Sequence, residues 1–92
     1  MTQVQLDNAG TLTLTGEVNI SNATSIHAEL TALLEHAPDE LVIDMSQVTE
    51  LDTAGLQLLL SLRLTVENTR VHSCPVHLRD FIERVGLTRV LT

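Results

Sequence analysis

The chain has 92 residues, with 12 acidic against 5 basic side chains (formal net charge −7), 43% hydrophobic content and a single aromatic residue, Phe81. This length carries one domain around one core, residues 1–92, and the apolar content marks a folded rather than a disordered chain. The basic residues are all arginines (Arg63, Arg70, Arg79, Arg84, Arg89), so lysine chemistry is excluded, and an acidic chain without aromatic platforms excludes nucleic acid as a ligand.

The first quarter alternates. Val4 and Leu6 precede the turn-rich Asp7-Asn8-Ala9-Gly10, and in Thr11-Leu12-Thr13-Leu14-Thr15-Gly16 the leucines sit two apart with threonines between. This predicts a β-hairpin, with Gly16-Glu17-Val18-Asn19 leaving the second strand. Ser21 or Asn22 can cap a helix from about Ala23 to His36, whose Ile26, Leu30, Leu33 and Leu34 fall at helical spacing. Pro38 stops it. Leu41-Val42-Ile43-Asp44-Met45 is a short, nearly continuous apolar run, which predicts a central strand covered on both faces. A polar loop from Ser46 to Glu50 then leads to Leu51-Asp52-Thr53-Ala54-Gly55 and a leucine-rich helix reaching about Glu67, closed by Asn68-Thr69-Arg70. Val71-His72-Ser73-Cys74 reads as a strand ended by Pro75, and Val76 to Val85 as a last helix stopped by Gly86. The predicted order is β-β-α-β-α-β-α: an α/β domain with a mixed sheet of four or five strands and helices packed on it.

No stretch approaches the roughly 18 uninterrupted apolar residues of a membrane span, and Met1 to Asp7 lacks the basic and apolar regions of a secretory signal. The lone Cys74 suits a reducing compartment, so a cytoplasmic location without direct membrane insertion is expected.

The chemistry concentrates after the third strand, where Thr53 places a hydroxyl at the start of a helix. Such a group lies beside unpaired backbone N–H groups in the positive field of the helix dipole. A phosphate on Thr53 would be held by those groups, with Gly55 permitting close approach, and would add roughly −1.5 to −2 charges beside Asp52 and Glu50. The bland alternative is that Thr53 merely caps the helix. The helix from Leu56 to Val66 carries far more leucine than a stripe of about 100° requires, leaving Gln57, Ser61 and Thr65 as a narrow polar line. The surplus either packs on neighbouring helices or forms a partner surface. His72, Cys74 and His77 invite a metal reading, but Pro75 redirects the chain and no fourth ligand is obvious. His27 and His36 read as solvated helix residues. Asp44 and Asp52 lie near strand ends without a nucleophile pattern, and no phosphate loop or G-x-G-x-x-G is present. No enzyme, cofactor or metal is expected.

Leu14-Thr15-Gly16-Glu17-Val18-Asn19, Leu41 to Ser46 and Leu51-Asp52-Thr53-Ala54-Gly55-Leu56 resemble the STAS domain, the fold of bacterial anti-sigma factor antagonists. The resemblance covers nearly the whole chain. It implies a signal-transduction module in transcription regulation, a phosphoprotein whose Ser/Thr is phosphorylated by a serine kinase that is also the anti-sigma factor. Thr53 is then the phosphoacceptor, and Asn19, Ser21, Asp52, Thr53, Ala54, Gly55 and Gln57 are the implied partner contacts. Asn19 stands where the antagonists often carry Asp, and Ala54 where the sporulation antagonists have a second serine. The run Asp-Thr-Ala-Gly-Leu-Gln-Leu-Leu-Leu also resembles STAS proteins of chemosensory clusters and the small STAS subunit of a phospholipid-transport ABC system. The implied partner is therefore a serine kinase/anti-sigma factor, or another signalling or transport ATPase.

Overall fold

The computed structural model describes residues 3–35 and 39–88. Seven elements follow one another: β1 (Gln3–Leu6), β2 (Thr11–Val18), α1 (Ala23–Leu33), β3 (Glu40–Leu51), α2 (Thr53–Thr65), β4 (Asn68–His72) and α3 (Val76–Arg84). The order is the one that the hydrophobic pattern predicts. The sheet runs β1-β2-β3-β4, with β1 antiparallel to β2 and the other two pairings parallel. The hairpin turns where Asp7 Oδ1 accepts from the amides of Ala9 and Thr11, each at 2.9 Å, and Gly10 takes a φ of 87°. The predicted stop of α1 at Pro38 lies outside the described residues.

Five details of the elements differ from the sequence reading, each for a local reason. First, β2 does not end at Gly16; it continues to Val18 through a glycine at φ 91°, a conformation other residues rarely adopt. Second, the expected polar loop from Ser46 to Glu50 is strand. β3 carries one extra residue opposite Thr13–Thr15 and another opposite Gly16–Glu17. These bulges lengthen the inward repeat, so Leu41, Ile43 and Met45, two apart, are followed by Val48 and Leu51, three apart, and all five are buried. Third, β3 is not equally covered on its two faces: Leu41, Ile43 and Met45 are buried while Val42 and Asp44 are half-buried. Fourth, α2 ends at Thr65, and Asn68-Thr69-Arg70 belongs to β4 rather than to the helix end. Thr69 is buried because its hydroxyl donates to the Val66 carbonyl at 2.7 Å. Fifth, β4 ends at His72, and Ser73, at φ 57°, turns the chain away before Cys74.

The core is one aliphatic cluster in which the inward residues of β2 and β3 meet Ile26 and Leu30 of α1, Leu56, Leu58, Leu59 and Leu62 of α2, and Leu78 and Ile82 of α3. Packing therefore absorbs most of the leucine surplus of α2. Leu60 stays half-buried, and Leu64 stands 88% exposed. Phe81 is partly buried against the same cluster.

A candidate docking edge at the start of the second helix

Two parallel strands end side by side, since Val18 of β2 pairs with Leu51 of β3. The turn Asn19-Ile20-Ser21-Asn22 leaves one, and Asp52-Thr53 leaves the other. Asp52 joins them. Its Oδ1 accepts from the amide of Gly55 at 2.9 Å and its Oδ2 from the amide of Ile20 at 2.9 Å. The N-cap of α2 is thus Asp52, not Thr53: Asp52 has the extended backbone (φ −120°, ψ −172°) that a cap needs, and Thr53 is already helical. Burial pushes the Asp52 carboxyl up, but the amides of Gly55, Ile20 and Ala54 outweigh it and hold the group below its ordinary value.

Thr53 is exposed in the first turn, and its hydroxyl enters no hydrogen bond among the described residues. Gly55 does not offer the open approach to a phosphate that the sequence suggests. The Gly55 amide is already occupied by Asp52, and Gly55 is buried rather than presented to a ligand. A Cβ there would overlap the carbonyl oxygen of Val18 and lie 2.7 Å from Leu51 Cδ1. Gly55 therefore serves the close approach of α2 to the ends of β2 and β3.

Of the other predicted contact residues, Ser21 and Gln57 are exposed and Asn19, Asp52 and Ala54 half-buried. Asn19 Nδ2 donates to Glu50 Oε1 at 3.3 Å and to Glu17 Oε2 at 3.5 Å, so the amide links two carboxylates beside Asp52. Asn19 Oδ1 accepts from the Ser21 amide at 3.1 Å. Neither Ser21 nor Asn22 caps α1 through its side chain: Asn22 occupies the cap position, but its Nδ2 donates to the Glu17 carbonyl at 2.9 Å. One residue escaped the sequence reading altogether. Ile20 is 77% exposed in the middle of this edge. Its only sequence signal is an isoleucine within the polar turn Asn19-Ile20-Ser21-Asn22, two residues beyond the buried Val18.

The remaining titratable groups stand apart. Asp44 is held below its ordinary value by the amide and hydroxyl of Ser46, against burial, with a smaller contribution from His72. Burial pushes the Cys74 thiol up, and Arg79 opposes this. His77 Nε2 lies 3.3 Å from the Thr49 carbonyl oxygen. Among the described residues no group of three or more His, Cys, Asp or Glu is placed to hold a metal ion. Among them, too, no helix is long and apolar enough to cross a membrane.

No curated protein matches the sequence. Solved structures do. An anti-sigma factor antagonist from Mycobacterium paratuberculosis superposes with a TM-score of 0.80 at 25% identity, over 99% of this chain and 81% of that one. The anti-sigma factor antagonist SpoIIAA in its unphosphorylated form gives 0.76 at 16% identity, over 100% of this chain and 86% of that one. The phosphorylated form of SpoIIAA, a Bacillus cell fate determinant, gives 0.68 at 18% identity, over 100% and 89%. A family profile described as "Mlab, STAS domain" matches residues 1–92. The bulged β3, the Asp52 cap and the turn at Asn19 are thus features of a chain that belongs to the STAS domain family.

Proposed function

We propose that this STAS domain is an anti-sigma factor antagonist-like binding module, acting in the cytoplasm without catalysis of its own. Its partner is a serine kinase/anti-sigma factor or a related signalling ATPase, and phosphorylation of Thr53 is the switch. The observation that carries this reading is the exposed Thr53 hydroxyl, relieved of capping duty by Asp52 and set between the acidic turn of β2 and the exposed Gln57. The 25% identical Mycobacterium antagonist supports the partner class, and SpoIIAA exists in phosphorylated and unphosphorylated forms.

The step is a simple transfer. Thr53 Oγ1 attacks the γ-phosphorus of ATP on the partner, the bond to the β-phosphate oxygen breaks, ADP leaves, and the hydroxyl proton passes to a base of the kinase. For this the hydroxyl must face the nucleotide. The phosphate left on Thr53 then faces the anionic phosphates that remain, and like-charge repulsion releases the complex. Incubation with the partner kinase and ATP should label wild type and leave Thr53→Ala unlabelled. Thr53→Glu should lose binding while its thermal midpoint stays near wild type, since a carboxylate in the first turn suits the helix dipole. Absence of phosphate on Thr53, with both variants binding as wild type does, would overturn the switch.

A second reading uses the same edge without the switch: a constitutive subunit of a phospholipid-transport ABC system, with Thr53 as a contact. The run from Asp52 to Leu60 supports it, with Ala54 where a second serine would stand. Co-purification with an ABC ATPase, with Thr53 unmodified, would favour it over the first.

A further inference from the structure

We propose that Ile20 is the apolar anchor of the docking edge, that Asp52 is its positioning residue, and that the partner receives it in an apolar socket rimmed by arginine or lysine side chains. The proposal rests on the reading of this edge as an ATPase-docking face, and it names a contact which that reading does not contain.

Ile20 leaves 77% of its surface in water although a large aliphatic side chain gains by burial. Its turn is not loose. The Ile20 amide donates to Asp52 Oδ2 at 2.9 Å, the Ser21 amide to Asn19 Oδ1 at 3.1 Å, and the Asn22 amide to the Asn19 carbonyl at 3.0 Å. Asn22 Nδ2 ties the same turn back to the Glu17 carbonyl at 2.9 Å. An isoleucine held in this way loses little conformational freedom when a partner covers it, which is the condition for an efficient anchor. Binding hot spots are apolar residues ringed by polar groups that exclude water.

The ring here is acidic. Asn19, which precedes Ile20, gathers the carboxylates of Glu17 and Glu50, and the Asp52 carboxylate accepts from the Ile20 amide. No arginine precedes Arg63 in the chain, so the turn and the end of β3 contribute no guanidinium of their own. Charge complementarity therefore selects a protein surface with basic groups around an apolar hollow, and disfavours an anionic lipid surface. Asp52 connects this anchor to Thr53, because one carboxylate oxygen holds the Ile20 turn and the other caps the helix that begins with the phosphoacceptor.

The test titrates the protein into the purified partner ATPase, the serine kinase/anti-sigma factor of the proposed function, loaded with ADP, and reads Kd by calorimetry. Ile20→Ala should raise Kd about tenfold or more, Ile20→Asp further still, and Leu64→Ala, at the far end of α2, should leave it unchanged. Asp52→Asn should raise Kd and speed exchange of the Ile20 amide in the free protein. Its penalty should shrink when Ile20 is already alanine, because a positioning residue has nothing left to position. Wild type failing to bind the ATPase would overturn the docking reading itself, and this proposal with it. Wild type binding while Ile20→Ala binds equally well, or while Leu64→Ala costs as much, would overturn the anchor alone. Fully independent penalties for Ile20→Ala and Asp52→Asn would overturn the role of Asp52.

Discussion

Asp52 does two structural jobs with two carboxylate oxygens, a pair that a serine or threonine hydroxyl, with one oxygen, cannot supply. Capping alone is worth about 1 kcal/mol when an Asp cap is replaced by alanine, and the tether to the Ile20 amide adds a second charge-assisted bond across 32 positions of sequence. Asp52→Ala should therefore lower the unfolding free energy by about 1–2 kcal/mol in urea titration. The same bonds set a pH dependence whose sign is determined. The folded carboxyl lies below its ordinary value because backbone amides, foremost those of Gly55 and Ile20, favour the ionised form over the opposing effect of burial. A group depressed on folding contributes its stability above the unfolded value, about pH 4, and loses it as pH falls through the folded value. Between pH 7 and 5 this contribution should be constant. Below about pH 4 wild type should lose stability more steeply than Asp52→Asn, as read from urea midpoints at pH 5, 4 and 3. Equal acid slopes would mean that Asp52 is not stabilised as the ionised form. Asp44, held down by Ser46, titrates in the same direction and is common to both proteins, so it cancels in the comparison.

At the scale of elements, α2 owes its position to a missing side chain. Gly55 lies against the Val18 carbonyl and Leu51, where a methyl group has no room unless the helix lifts off the strand ends. Gly55→Ala should cost about 1–3 kcal/mol despite the better helix propensity of alanine, and Gly86→Ala makes a useful contrast. Gly86 has open space around it, so its penalty arises only from the φ of 77°. If urea unfolding found Gly55→Ala as stable as wild type, the close packing of α2 on β2 would be refuted. How much of this was legible in the sequence depends on period. The leucines of β2, the Ile26/Leu30 stripe of α1 and the Leu78/Ile82 face of α3 repeat at 2 or 3.6 residues, and those elements begin where the pattern puts them. The second half of β3 does not, because its bulges lengthen the inward repeat and make a strand resemble a polar loop. The start of β4 hid for a different reason: its first inward residue is Thr69, whose burial depends on a bond to Val66 that no residue type announces. At the site, Asp52 and Thr53 are both good cap residues by type, and backbone geometry alone decides between them. The Ile20 contact joins residues far apart in the chain, so no local pattern could reveal it.

Over the whole molecule, the parallel strands β2 and β3 bring their carboxyl ends to one edge, the place where α/β sheets commonly present functional loops. The charge is distributed to match. Nine of the 12 acidic residues, Asp7 through Asp52, precede the first arginine, Arg63. The proposed docking edge thus lies in the acidic part of the chain, with Glu17 and Glu50 bonded to Asn19 and Asp52 to the Ile20 amide, while the described arginines lie on α2, β4 and α3. With a net charge of −7 distributed in this way, the proposed basic partner should be steered before contact is made. Steering acts over the Debye length, about 10 Å at 0.1 M salt and about 3 Å at 1 M, whereas contacts inside a formed interface are screened much less. For the ADP-loaded ATPase, raising salt from about 0.05 to 0.5 M should therefore lower the association rate constant by roughly tenfold or more and change the dissociation rate constant far less. Ile20→Ala should show the opposite pattern at fixed salt, with faster dissociation and nearly unchanged association, because an apolar anchor acts only after contact. Stopped-flow mixing separates the two constants. An association rate indifferent to salt would mean that the acidic edge does not face basic groups.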